Sequence, residues 1–249
     1  PTRTPEPAYP VTVDDPSGCD RFAARVVRGV DPTAKSPQWM KTRLVHAGMR
    51  PISLAVDITN YLMLEFGQPM HAFDLAKLRG PLVVRRARPG ERLVTLDGVD
   101  RALDPEDMVI CDDTGPISLA AVMGGASSEV SETTSNVLFE AAHWDAVMVA
   151  RTARRHKLFS EAAKRWERGV DPALALRALQ RAVDLLVEHA GGTVDPRVLD
   201  IDTVLPPRPV RMPAGLPARV AGVPYTRDRV VARLREVGCT VEADGDVLS

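Results

Sequence analysis

Two side chains in this chain of 249 residues are of a type that could move a proton on a bound molecule. His71 follows Gly67, Gln68 and Pro69, which should break a helix and carry Gln68 and His71 into a turn. An imidazole titrates near neutrality, so it can orient a water or take its proton; a loop histidine can equally serve as a backbone hydrogen-bond partner. Glu140 stands in the apolar run Leu138-Phe139-Glu140-Ala141-Ala142. A carboxylate there is costly to desolvate unless a donor meets it, and a salt bridge on a strand would also satisfy it.

Further groups could shape a site around these two. Thr59 and Asn60 interrupt an apolar helix face with short polar groups that can bond to backbone or to a ligand. Ala120-Ala121-Val122-Met123-Gly124-Gly125 reads as a small-residue strand running into a glycine pair, where backbone can approach a ligand and main-chain N–H groups can hold an anionic oxygen. A tight turn after a buried strand reads the same way. A basic run follows, with Arg151, Arg154, Arg155, His156, Lys157, Lys164, Arg165 and Arg168 around Ser160 and Ala162. Such a run is either a solvated face or a set of phosphate contacts.

The elements that must position these residues follow from periodicity. Ile52, Val56, Tyr61 and Leu64 recur at near-helical spacing up to Gly67. Ser36-Pro37 is expected to open an earlier helix, with Ser36 as its cap. Cys19 to Val30 alternates like a strand, and residues 82 to 142 are rich in strand signals, including an Asp97-Gly98 hairpin turn. From Asp145 the pattern turns helical, and Asp171-Pro172 opens a long helix that stops at Gly191-Gly192. The fold class is therefore α+β, a largely antiparallel or mixed sheet packed with helices. Residues 1–17 hold five prolines and read as a linker. Residues 18–200 form the main domain, and 201–249 a linker and a small, incomplete α/β fragment.

Composition sets the outer bounds. Hydrophobic residues at 45% and charged residues at 26% suit a globular chain with a core. Lys plus Arg (32) nearly balances Asp plus Glu (33), so the net charge of −1 excludes a generally basic nucleic-acid coat and leaves only local patches. The three cysteines, Cys19, Cys111 and Cys239, are widely spaced without a C-x-x-C pair, which disfavours a zinc site and fits a reducing compartment. No phosphate-binding loop or nucleophile elbow is present. The chain does not begin with Met, which is read as a segment of a longer polypeptide.

Asp57-Ile58-Thr59-Asn60-Tyr61 followed by Gln68-Pro69-Met70-His71-Ala72-Phe73-Asp74 resembles a signature of the beta subunit of bacterial phenylalanyl-tRNA synthetase. Thr152 to Pro172 is similar to a second signature of that family. The resemblance covers roughly residues 19 to 200 and implies an editing domain that hydrolyses tyrosine wrongly esterified to tRNA(Phe). Such a site is needed because an apolar phenylalanine pocket cannot strongly reject a ring that only adds a hydroxyl. His71 falls on the histidine associated with the editing pocket, and Glu140 on the position that reads the tyrosyl hydroxyl. Thr59, Asn60, Ala120, Ala121, Ser160 and Ala162 fall on pocket positions. Arg151, Arg154, Arg155 and Lys164 are the implied RNA contacts. The implied partners are the alpha subunit, tRNA(Phe) and the misattached tyrosine, in the cytoplasm. No cofactor belongs to this chain, whereas ATP and Mg2+ serve the whole synthetase. Three departures from the family pattern stand out: Ala121 where Gly is common, Ser160 where Thr is common, and Ala163-Lys164 where Ser-His is frequent. They leave open an alternative, a structural and tRNA-positioning module without editing. A free-standing hydrolase is the third reading.

Overall fold

The computed structural model describes residues 7–249. Its strands are β1 (Val11–Val13), β2 (Cys19–Arg28), β3 (His71–Asp74), β4 (Leu82–Arg86), β5 (Arg92–Val94), β6 (Asp100–Ala102), β7 (Met108–Asp112) and β8 (Gly115–Leu119). They continue as β9 (Met123–Gly124), β10 (Asn136–Trp144), β11 (Thr193–Val194), β12 (Leu199–Asp202), β13 (Met212–Pro213), β14 (Ala243–Asp244) and β15 (Val247–Leu248). The helices are α1 (Gln38–His46), α2 (Leu54–Phe66), α3 (Ala146–His156), α4 (Glu161–Trp166), α5 (Ala175–Ala190), α6 (Leu216–Ala221) and α7 (Arg227–Glu236). The chain divides into two compact units, one running to Val204 and one from Leu205 to Ser249.

Two sheets build the first unit. One has the order β1-β4-β7-β8-β9 and is mixed, because β1 runs parallel to β4 while the other pairs are antiparallel. The other has the order β11-β2-β10-β3, with β12 also paired to β2, and is antiparallel throughout. Successive side chains on a strand point to opposite faces, and this sheet shows it residue by residue. Phe22, Ala24 and Val26 of β2, Phe73 of β3 and Leu138 and Ala142 of β10 join one core with the mixed sheet, α3 and α4. Ala23, Val27, Ala72, Val137, Phe139 and Ala141 join the other core with α1, α2 and α5. Phe22, Phe73 and Phe139 are fully buried, each adding about 1.5–3 kcal/mol of hydrophobic stabilisation. The sheet buried on both faces is therefore a rigid floor.

The α+β expectation holds, and so do the Asp97-Gly98 hairpin joining β5 to β6 and the stop of α2 at Gly67, whose φ of 76° needs a left-handed cap. Several local expectations change. Residues 1–6 of the expected linker lie outside the described residues, and 11–13 are a strand paired to Leu82–Val84. Tyr9 also donates its hydroxyl to the Gly80 carbonyl at 2.6 Å, so this proline-rich stretch is held to the domain. Pro37, not Ser36, caps α1, because Ser36 Oγ is committed to buried Asp57 Oδ2 at 2.5 Å. The long helix begins as a 3-10 turn over Pro172–Leu174 and becomes α5 at Ala175.

The second unit is a three-stranded sheet of order β13-β15-β14 with α6 and α7. Ala214, Val230 and Leu248 form its small core, and Thr226 Oγ1 caps α7 by accepting from Arg229 N–H.

Candidate functional site

His71 is the first residue of β3, not a turn residue as the sequence suggests, because Gly67 ends α2 early enough for pairing to start at once. It lies directly opposite Glu140 of β10 in the antiparallel register. Opposed residues share a face, and this face looks into the space between the two sheets. His71 and Glu140 both line a hollow there of about 80 Å³. Its other walls are Ala121, Met123 and Gly124 of the β8–β9 hairpin, with Trp144 of β10 and Ala162 and Trp166 of α4.

Burial sets the charge state of the pair. The His71 ring packs edge-on against Phe73, centroids 4.4 Å apart, and its Nε2 is buried without a hydrogen-bond partner. Burial lowers its pKa to about 4, so the imidazole is neutral at neutral pH. Glu140 is 6% exposed, and its carboxyl has no hydrogen bond or ion pair with any described residue. Burial raises its pKa to about 8. At neutral pH it is mostly a carboxylic acid, able to donate as well as accept a hydrogen bond. The salt bridge considered for Glu140 is absent among the described residues.

The glycine pair has a steric reason. A Cβ on Gly124 would stand 2.9 Å from His71 Nε2, and one on Gly125 would collide with the Ile117 carbonyl. Ala121, at the hairpin tip, adopts φ 66°, a left-handed conformation unusual for a residue with a Cβ. The hollow, about 80 Å³, has room for small molecules the size of water but is well below the roughly 300–1,000 Å³ of ordinary ligand pockets. Met70 and Met123 are both on its wall, and unbranched methionines are the side chains that adapt most readily to a larger guest.

The remaining residues divide clearly. Ala121 and Ala162 line the hollow, whereas Thr59, Asn60, Ala120 and Ser160 do not. Thr59 is buried on α2 and returns its hydroxyl to the Val56 carbonyl at 2.8 Å. Asn60 lies on the same helix. Ala120 is fully buried and donates its N–H to the Met108 carbonyl. Ser160 Oγ caps α4 by accepting from Ala163 N–H. Sequence reasoning missed Met70, Trp144 and Trp166. The first lies next to His71 in the motif, but the tryptophans carry no spacing signal that separates a wall from a core.

The basic run also divides. Arg155 is tied to Asp104, Glu106 and buried Asp107 and so is committed within the fold, whereas Lys164 is exposed and pairs on the surface with Glu161 at 2.6 Å. Arg151 and Arg154 are exposed on α3 and form no ion pair among the described residues. No group of three or more metal-ligating side chains occurs among the described residues.

The B3/4 domain model matches residues 18–191. The chain is 58% identical over 243 residues to a protein of Streptomyces avermitilis named phenylalanine–tRNA ligase beta subunit, covering 96% of this chain and 29% of that one. A protein of the same name from Nocardia farcinica is 58% identical over 240 residues, with the same coverages. One from Thermobifida fusca is 54% identical over 243 residues, covering 98% and 29%. The chain thus spans less than a third of the length of these relatives. Among solved structures, an N-terminal fragment of the phenylalanyl-tRNA synthetase beta subunit from Pyrococcus horikoshii is 14% identical, with a TM-score of 0.49 over 98% of this chain and 70% of that one. With a domain model matched along most of its length, the chain belongs to the B3/4 domain family.

Proposed function

We propose that this chain is the editing module of a phenylalanine–tRNA ligase beta subunit and hydrolyses tyrosine wrongly esterified to tRNA(Phe). The observation that carries the reading is the direct opposition of His71 and Glu140 across β3 and β10, both facing one hollow.

A neutral imidazole can accept a proton from water as that water attacks the ester carbonyl. The leaving group is the terminal ribose oxygen of the tRNA, and the imidazolium formed at His71 returns the proton to it as the C–O bond breaks. Of the hairpin-tip amides, Ala120 and Val122 already donate to backbone carbonyls. Ala121 N–H is left without a protein acceptor among the described residues and is the natural donor to the developing oxyanion. Glu140 as an acid can exchange hydrogen bonds with a phenol hydroxyl. A phenylalanyl ring would leave that buried group unmatched, which is how a polar site discriminates against the analogue that lacks the hydroxyl. Aminoacylation itself, with ATP and Mg2+, belongs in this reading to the alpha subunit partner.

The test is deacylation of Tyr-tRNA(Phe) by the purified chain and by its His71→Ala and Glu140→Gln variants. Ester that is unchanged after long incubation with the native chain overturns the reading. One observation favours a second reading, a tRNA-positioning module without hydrolysis: the hollow is small and carries the Ala121 methyl on its wall. That reading predicts tRNA binding with no loss of ester.

A further inference from the structure

The first unit holds a second and larger cavity, about 300 Å³, on the opposite face of the antiparallel sheet, where the β2–α1 loop, the start of α2 and the end of α5 meet. Its floor is apolar, formed by Val30, Leu54, Val137 and Leu186. Its polar groups are of both signs. Asp57 is 1% exposed and accepts from Ser36 Oγ at 2.5 Å and from Ile52 N–H at 2.7 Å, one protein donor for each carboxyl oxygen. A buried carboxylate with two donors still has acceptor sites to fill. Asp31 and Glu132 add negative charge at the rim. Lys35 and half-buried Lys41 also line the cavity and make no ion pair among the described residues. Ser53, the residue before α2, does not cap that helix, and its Oγ is buried without a partner.

A simple anion would meet three carboxyl groups here, and a simple cation would meet two ammonium groups. An apolar ligand would leave Lys41 and Ser53 Oγ unmatched, at a desolvation cost. We infer that this cavity binds a small zwitterion with an apolar part, a free α-amino acid with an apolar side chain. The carboxylate meets Lys41, Ser53 Oγ and the open first turn of α2. The ammonium faces the carboxyl groups, and the side chain lies on the apolar floor. Nothing in this assignment depends on the hydrolytic reading of His71 and Glu140.

Isothermal titration of the 249-residue chain with L-leucine, L-methionine and L-phenylalanine tests it. At least one binds, and Lys41→Gln weakens that binding by about tenfold, the loss expected for one charge-assisted contact. The leucine analogues lacking one charge, 4-methylpentanoate and 3-methylbutylamine, each bind more weakly than leucine by a similar factor. The inference is overturned if no amino acid binds at up to about 10 mM, or if an analogue lacking one charge binds as tightly as leucine. It is also overturned if binding survives Lys41→Gln and is lost in His71→Ala, because the ligand then occupies the other hollow. Lys41 is half-buried on α1 and makes no ion pair among the described residues, and circular dichroism of its variant verifies that the fold is kept.

Discussion

Gly124 and His71 fix each other's position: the imidazole occupies the space that any side chain on Gly124 would need, with Nε2 2.9 Å from the site of a Cβ. The ring is trapped between the β8–β9 hairpin and Phe73, which holds the imidazole at one point.

Gly124→Ala should therefore displace His71 or the hairpin. Overpacking of this kind costs about 1–3 kcal/mol, measurable as a lower urea midpoint with an unchanged m-value. Deacylation of Tyr-tRNA(Phe) should fall to the level of His71→Ala. Native-like deacylation by Gly124→Ala would show that the ring does not act from this position.

Ala121→Gly should have the opposite effect on activity. The native alanine holds φ 66°, at a cost of about 1–2 kcal/mol for a left-handed L-residue. Glycine removes that strain, although it frees the unfolded chain by about 0.4–1 kcal/mol. The net change in stability is then small and on the stabilising side, and deletion of the methyl widens the hollow. The expected result is faster hydrolysis with an equal or slightly higher melting temperature. Slower hydrolysis would contradict the role given to the hairpin tip.

Alternation made β2 legible as a strand, but not the burial of both faces of its sheet, where apolar residues of either parity enter different cores; β3 was hidden because Gly67 and Pro69 read as a turn that carries His71. Gly67 and the Asp97-Gly98 pair marked their turns through a local requirement for positive φ. Other assignments depended on partners distant in sequence. Ser36 looked like a cap until Asp57, 21 residues on, claimed its hydroxyl. Ser160 looked like a pocket group, but the local need of α4 for a cap used it. Thr59 satisfied itself on its own helix. The pairing of Glu140 with His71 rests on a register between strands 69 residues apart, which no local pattern encodes.

Stability should depend on pH in two opposite ways around this site. The folded pKa of Glu140 is raised to about 8 from an ordinary value near 4.5. Its favourable state is thus fully present below about pH 4.5 and is lost as pH rises towards 8. Glu140→Gln should be more stable than the native chain at pH 9, by up to a few kcal/mol, and the difference should vanish below pH 4. His71 is lowered to about 4 from 6.5, so its contribution is present above 6.5 and is lost as pH falls towards 4. His71→Leu should flatten that acid limb. Urea unfolding from pH 4 to 9 measures both, and parallel curves for native and Glu140→Gln would refute the burial argument.

The arginines of α3 should separate into a structural and a binding class. Arg155, His156 and Thr152 all converge on Asp107, which is fully buried. Asp107→Asn weakens every contact at once and leaves Arg155 with its charge partly unmatched. Breaking a buried pair of this kind typically costs about 3–5 kcal/mol, so the variant should lose much of its thermal stability. Arg151 and Arg154 are exposed and form no ion pairs among the described residues, so Arg151→Ala and Arg154→Ala should melt within about 0.5 kcal/mol of native. If these two residues meet tRNA phosphates, each alanine variant should also weaken tRNA binding. Each should make the slope of log affinity against log salt shallower by just under one unit per lost contact. Filter binding at several salt concentrations separates the classes. An unchanged slope in both variants would place the RNA contacts elsewhere, with α3 then serving only to close the core over the hollow.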